Sequence, residues 1–354
     1  MKTPDSVPDE LAPPRLQAML AERFPGVGVA AVHVEASGEG TNSNAHLRVE
    51  YAAPTEAPTH LFAKLPPEEP HQRKLVLGSG MGRREVLFYQ HLASEVPMRV
   101  PQVYGAWFDA SDGLFALLIE DLEASGCGFP DGEAGVGREL AELAMADFAA
   151  LHCAGAPGGR LERSVVDPPL RQPEYGAAML EHALATRAED LDPTFAEVAR
   201  LYVDQGEAVH DLWEAGTAVV THGDGHLANL FVEEDRLGFL DWGCFALAPA
   251  MRDVGYFLCM ALSVADRRQH ERELISCYLE HRKRLAGEAP SFEAVWQEHR
   301  VQASYTVVAS APAVLNPGIA GDPNGVYAAH FVARASAAVA ELRADEVLRA
   351  ELGL

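Results

Sequence analysis

Asp224, Asn229 and Asp241 are three oxygen ligands at a spacing that suits transfer of a phosphoryl group. They lie in Thr221-His222-Gly223-Asp224-Gly225-His226-Leu227-Ala228-Asn229 and, twelve residues after the Asn, in Asp241-Trp242-Gly243. Such a reaction needs a carboxylate beside the acceptor hydroxyl and separate oxygen ligands for Mg²⁺ on the nucleotide phosphates. Between the two runs, residues 230–232 and 237–240 are short apolar stretches around a polar turn. This is the pattern of a β-hairpin, which would carry Asn229 and Asp241 to one end. A plainer alternative is that His222, Asp224 and Asn229 cap loop backbone while Asp241 closes a strand.

A centre of this kind requires a nucleotide cradle upstream. Residues 37–43 read Ser-Gly-Glu-Gly-Thr-Asn-Ser, where Gly38 and Gly40 would let backbone N–H groups approach phosphate oxygens and Ser43 would add a hydroxyl donor. An ordinary hairpin turn uses the same residue types. Lys64, in Leu61-Phe62-Ala63-Lys64, stands in an apolar strand and could place its ammonium on the α- and β-phosphates. Glu85 is the candidate partner, because it shares a helical face with Phe88, Tyr89 and Leu92 and a carboxylate on an apolar face wants a cation. The alternatives are a solvent-facing Lys64 and a Glu85 paired with Arg83 or Arg84.

The elements that must position these residues follow from periodicity and punctuation. Residues 15–24 carry apolar side chains at helical spacing and stop at Pro25-Gly26. Residues 27–36, 46–51 and 61–65 read as a three-stranded antiparallel meander. A helix is expected over 82–95, then strands over 103–108 and 114–119. Beyond a Gly-rich connection at 125–137, helices are expected over 138–151, 192–213, 251–264, 266–285, 292–310 and 326–352. Segments 68–82 and 315–325 are expected to be loops, and no internal repeat is visible.

Aligned in this way, the chain resembles the aminoglycoside phosphotransferase and choline kinase superfamily, small-molecule relatives of the protein kinases, over nearly its whole length. His222-Gly223-Asp224-Gly225-His226-Leu227-Ala228-Asn229 is similar to that family's H-G-D-x-H-x-x-N, and Phe239-Leu240-Asp241-Trp242 to its metal-binding segment. Met251-Arg252-Asp253-Val254-Gly255-Tyr256-Phe257-Leu258, with Ile119-Glu120-Asp121-Leu122 and Glu85-Val86-Leu87-Phe88-Tyr89, is more similar to the ecdysteroid-kinase-like branch than to antibiotic-resistance enzymes.

The resemblance implies an α+β, bilobal, protein-kinase-like fold. Residues 1–122 would form a small antiparallel-sheet N-lobe with a hinge at about 119–123, and residues 123–354 a mostly helical C-lobe. It implies ATP or GTP and Mg²⁺ as cofactors. Asp224 would orient or deprotonate the acceptor hydroxyl, His222 would anchor its loop, and Asn229 and Asp241 would bind the metal. The nucleotide would meet Lys64, Glu85, Gly38, Gly40 and Ser43, and its base the backbone of Glu120 and Leu122. His226 is expected to brace the loop, Asp253 to cap its own helix, Arg252 to pair with a carboxylate, and His152 to pack. The acceptor is expected to be a small-molecule alcohol, lipid-like or steroid-like. The alternatives are an aminoglycoside-type antibiotic kinase or a catalytically silent nucleotide-binding scaffold. Trp213, Trp296, Tyr305 and Phe331 are candidates for the acceptor pocket or for the core.

Composition narrows the classes further. Hydrophobic residues make up 48% and charged residues 23% of 354 residues, ordinary globular material. Lys plus Arg total 28 against 52 Asp plus Glu, a formal charge of −24, which argues against a nucleic-acid partner. Five cysteines without a C-x-x-C pair are expected to be reduced core residues. The start of the chain has no apolar secretory segment, and the longest strongly apolar stretch, residues 254–262, is too short to span a bilayer. A cytoplasmic protein with no membrane partner is therefore expected.

Overall fold

The computed structural model describes residues 7–39, 42–161, 165–317 and 326–354. The chain divides into two compact units, Met1–Gly128 with Leu240–Cys244, and Phe129–Phe239 with Phe245–Leu354.

The first unit holds α1 (Pro13–Leu20), β1 (Val29–Glu39), β2 (Ser43–Tyr51), β3 (His60–Leu65), α2 (Pro70–Ser79), α3 (Met81–His91), β4 (Val103–Phe108) and β5 (Phe115–Glu120). Its five strands form one antiparallel sheet in the order β1-β2-β3-β5-β4, so the expected three-strand meander is present and the later pair extends it. Alternation along β2 buries Ala45, Leu47 and Val49, which join Leu61 and Ala63 of β3 and Leu16 and Leu20 of α1 in one core. α3 buries Glu85, Val86, Phe88 and Tyr89. Gly82 permits the close approach of this helix to β5, since a Cβ there would stand 2.2 Å from the Phe115 ring.

The second unit is mainly helical: α4 (Arg138–Ala154), α5 (Pro173–Thr186), α6 (Pro193–Trp213), α7 (Met251–Met260), α8 (Val264–Ala286), α9 (Phe292–Ala303), α10 (Tyr305–Leu315), α11 (Val326–Glu341) and α12 (Ala344–Leu352). Two small antiparallel pairs interrupt them. β6 (Ala218–Thr221) pairs with β9 (Ala246–Pro249), and β7 (Leu230–Glu233) forms the expected hairpin with β8 (Arg236–Phe239). Phe195, Tyr202, Trp213, Tyr256, Val307 and Phe331 lie in the large helical core. The fold is the α+β, protein-kinase-like one, with a small antiparallel-sheet N-lobe and a mostly helical C-lobe.

Several expectations are corrected. Segment 68–82 is not a loop: its middle forms α2, whose apolar residues are too few to reveal a helical stripe. α5 and the β6–β9 pair were not anticipated, and four residues per strand leave little pattern to read. The single helices expected over 292–310 and 326–352 are each two, broken at Ser304 and at Arg343, whose φ is 52°. The 315–325 segment lies largely outside the described residues. All five cysteines are free thiols, but only Cys259 is buried and the other four are half-buried. Among the described residues no helix is long and apolar enough to cross a membrane.

Candidate active site

Each unit carries part of the expected chemistry. In the first, Lys64 sits near the end of β3 opposite Asn44 of β2 and Leu117 of β5. Its Nζ lies 2.7 Å from Glu85 Oε1 and 3.2 Å from Asp241 Oδ1. Lys64 and Glu85 are both buried, at 5% and 1% exposure. A lysine is tolerated there because two carboxylates compensate it. Burial works against the ammonium, but Asp241 and Glu85 outweigh it and hold the Lys64 pKa above its ordinary value. Burial pushes the Glu85 carboxyl up to about 7, with Lys64 and a backbone hydrogen bond from Trp242 pulling the other way. The alternative partners of Glu85, Arg83 and Arg84, are thereby displaced.

Asp241 has φ 61°, one of three non-glycine residues in the left-handed region among those described. Asp tolerates that conformation better than most residues, and here it turns the carboxylate to Lys64 while the next side chain goes into the core. Trp242 is fully buried and stacks on Phe88 of α3, with centroids 3.9 Å apart and planes at 5°. The helix face carrying Glu85 is therefore clamped to the segment carrying Asp241.

The strands flanking the turn expected to meet the nucleotide extend further than expected. β1 and β2 pair out to Glu39 and Ser43, which places Gly38 inside a strand opposite Asn44 and makes Ser43 the first residue of β2. Gly40 lies outside the described residues. Asn42 Oδ1 and Asn44 Oδ1 are buried without hydrogen-bond partners among the described residues, two acceptors in this region that no sequence motif marks. At the expected hinge, the Glu120 N–H donates to Gln102 O and the Leu122 C=O accepts from Cys127 N. The Glu120 side chain is held by Arg99 at 2.9 Å, and Asp121 Oδ2 meets His46 Nδ1 at 2.8 Å.

In the second unit, β6 delivers the chain into a tight loop at His222. Gly223 has φ 84°, a conformation that favours glycine. Asp253 holds this turn: its Oδ2 accepts from His222 N at 2.8 Å and its Oδ1 from Gly223 N at 2.7 Å. The expectation that Asp253 caps its own helix is thus corrected, since the carboxylate serves the loop instead.

Behind it runs a buried relay. Arg282 Nη1 donates to Tyr278 Oη, which lies 2.9 Å from His152 Nδ1, and His152 Nε2 lies 3.1 Å from Asp253 Oδ2. Burial lowers the His152 pKa, so the ring is neutral, donating through Nε2 and accepting through Nδ1. Burial alone would raise the Asp253 pKa, but His152, His222 and the Gly223 N–H hold it below the ordinary carboxylate value. His152 therefore supports the loop rather than only packing.

Asp224 is fixed by its own loop. Its N–H donates to His222 Nδ1 at 3.2 Å, and Asn229 Nδ2 donates to its backbone oxygen at 2.9 Å and to Oδ2 at 3.1 Å. His226 accepts from Ala228 N and stands 3.6 Å from Asp224 Oδ2, which is bracing as expected. Phe331 and Tyr256 pack on the His226 ring at 5.3 and 6.2 Å, and Tyr327 Oη lies 3.4 Å from its Nδ1. In the hairpin Leu230 pairs with Phe239, so the chain leaves Phe239 at the end where Asn229 enters. Arg252 stacks its guanidinium on Tyr305, 3.0 Å from the ring centroid, in place of the expected carboxylate pairing.

The model of the phosphotransferase enzyme family matches residues 40–287. No curated protein matches the chain by sequence. Among solved structures, the ethanolamine kinase of Plasmodium vivax is similar at 13% identity, covering 88% of this chain and 81% of that one with a TM-score of 0.51. The GDP complex of wild-type aminoglycoside 2'-phosphotransferase-IIIa is similar at 15% identity, covering 92% and 98% with a TM-score of 0.50. These structural likenesses bear on the fold, and they do not distinguish an ecdysteroid-kinase-like branch.

Proposed function

Because the chain belongs to the phosphotransferase enzyme family, we propose that it is a small-molecule kinase moving the γ-phosphoryl group of ATP or GTP to an alcohol. The observation that carries this reading is the buried Lys64, held at 2.7 Å by Glu85 and at 3.2 Å by Asp241. A lysine costs several kcal/mol to bury, on the order of magnitude seen for interior ions, and a purely structural position would be better filled by an apolar residue. A preset ammonium for phosphate oxygens explains why it is kept.

The roles follow from the groups each side chain still has to offer. Asp224 keeps a quarter of its side chain exposed while its backbone is locked, which suits a carboxylate that orients an incoming hydroxyl and accepts its proton as the bond forms. Asn229 spends its amide nitrogen on Asp224 and His226, which leaves its side-chain carbonyl oxygen as the group it has to offer. That oxygen and, separately, the Asp241 carboxylate are hard donors of the kind Mg²⁺ prefers, and each is a candidate ligand for the ion, which when bound neutralises phosphate charge. Ser43 and the backbone near Gly38 and Gly40 would meet the phosphates, and the backbone of Glu120 and Leu122 the base. Most of the rate would come from this fixed positioning rather than from full proton abstraction.

For the acceptor, the groups packed around His226 beside Asp224 are Tyr256, Tyr327 and Phe331. An aromatic surround favours an apolar, lipid-like or steroid-like alcohol over a polycationic aminoglycoside, which would want carboxylates. The test is nucleoside-diphosphate release with Mg²⁺ across hydroxysteroids, long-chain alcohols, amino alcohols and aminoglycosides, using Asp224→Ala as control. Turnover that falls at least about 100-fold in the variant is expected for an apolar alcohol. A panel with no Asp224-dependent turnover would leave the scaffold reading in its place.

A further inference from the structure

The helical unit contains a cavity of about 180 Å³ whose lining does not include Asp224. Tyr305 and the half-exposed Tyr175 present surface to it, while Tyr202 and Trp213 are nearly buried in its wall, at 1% and 4% exposure. Arg252 also lines it. A dry cavity of roughly 150 Å³ holds a benzene ring, so this one has room for a single ring with a small substituent.

Its charge is unusual for so acidic a chain. Glu214 is the acidic residue of the lining, and it is occupied by Arg171, whose Nε lies 2.8 Å away; Arg171 also holds Asp211 at 2.5 Å. His210 is uncharged at neutral pH, because burial, Arg171 and Arg252 hold its imidazole down at about 4. Its Nε2 lies 3.0 Å from Tyr202 Oη. Arg252 is half-buried over the Tyr305 ring and makes no ion pair or hydrogen bond among the described residues. Its guanidinium keeps five donors with only a π face beneath them, and such a fork matches a carboxylate or phosphate. With 52 acidic residues available against 28 basic ones, this cation is left without an acidic partner.

We propose that this cavity is a binding site for a small molecule joining an aromatic ring to an anionic group, the ring held against Tyr305 and Tyr175 and the anion by Arg252. Tyr305 and Tyr175 supply ring surface and the guanidinium supplies orientation, the usual division of labour in a small-ligand pocket. Arg252 directly precedes Asp253 in the first turn of α7, so a ligand here would touch the residue next to the anchor of the Asp224 loop.

The probes are benzoate, benzyl alcohol and benzylammonium, three ligands of one shape and different charge. They are titrated against the full chain by tryptophan fluorescence and ligand-observed NMR. Saturable one-to-one binding of benzoate is expected, at least ten-fold weaker binding of benzyl alcohol, and weaker still of benzylammonium. Arg252→Gln should remove the preference for benzoate while leaving benzyl alcohol binding in place, and Arg252→Lys should retain part of it. Asp224→Ala should bind benzoate as the unaltered protein does, so the site stands or falls apart from phosphoryl transfer. Benzylammonium binding as well as benzoate, no saturable benzoate binding, or benzoate affinity unchanged in Arg252→Gln would each overturn the assignment. The ligand series on the unaltered chain decides the matter even if a variant fails to fold.

Discussion

At the scale of single residues, Lys64 and Asp253 look alike, as buried charges, but work in opposite ways. On the proposed reading Lys64 would offer its charge to a ligand, whereas Asp253 spends its own on the backbone of the loop it anchors and on His152. Lys64→Met keeps the length and apolar stem of the side chain while leaving Glu85 without its cation. Because Glu85 is already raised to about 7 by burial, loss of Lys64 lets it take a proton rather than stay charged. Stability should therefore change little, while the nucleotide KM rises or kcat falls by about 10²-fold, a few kcal/mol of lost charge stabilisation. Unchanged steady-state kinetics would mean that another cation holds the phosphates. His210 gives a prediction in pH. Its folded-state pKa is depressed from 6.5 to about 4, so the unfolded chain binds the proton first. Its contribution to stability is full above about pH 6.5, is lost as the pH falls toward 4, and levels off below that. His210→Gln should flatten the fall in urea midpoint between pH 7 and pH 5, and an equally steep fall in the variant would remove His210 as a cause.

At the scale of elements, the clamp between α3 and the Asp241 segment is the feature with the most to lose. Phe88 and Trp242 stack face to face while one helical turn away Glu85 takes Lys64 and the Trp242 N–H. Phe88→Ala should cost about 3–5 kcal/mol as a large-to-small change in a packed core. Phe88→Leu should cost less yet still loosen Glu85, so its nucleotide KM should rise more than its melting temperature falls. A Phe88→Leu enzyme with unaltered KM would show that the stack serves stability alone. These elements also show how far sequence reading goes. α3 was legible because Glu85, Phe88, Tyr89 and Leu92 fall on one face, and β3 because four apolar neighbours surround Lys64. The Asp224 loop was legible from the types and spacing of its polar residues. The partners that lock it were not: His152 is 101 residues from Asp253 in sequence, and nothing local announces that a carboxylate in the first turn of a helix bonds another segment instead of its own backbone. α5 was missed because Ala-rich and Gly-containing turns blur its apolar face. Short strands such as β6 owe their existence to a partner 25 to 31 residues away.

At the scale of the whole molecule, a formal charge of −24 sets a background of self-repulsion against which local pairs act. Many basic side chains already sit against carboxylates: Arg138 on Glu142, Arg171 on Asp211 and Glu214, Arg268 on Glu341, Arg343 on Glu346. Exposed pairs of this kind are worth about 0–1 kcal/mol each and fade with salt. The 24 carboxylates in excess have no such cations, and their mutual repulsion acts over longer distances than the pairs do. Raising ionic strength from about 0.01 M to about 0.15 M shortens the screening length from ~30 Å to ~8 Å, which removes the long-range repulsion and leaves contacts at 2.5–3.3 Å comparatively intact. The melting temperature should therefore rise by a few degrees over that range, roughly 1–2 kcal/mol for a chain of this size. A chain held chiefly by surface ion pairs would respond in the opposite sense, so a melting temperature that falls with added NaCl would show that the pairs outweigh the repulsion. The same background bears on the ligands. On the proposed readings it would oppose entry of nucleotide and of any anionic molecule from a distance, and so would concentrate recognition in the few cations placed for it: Lys64 with its buried carboxylates, and Arg252 with none among the described residues.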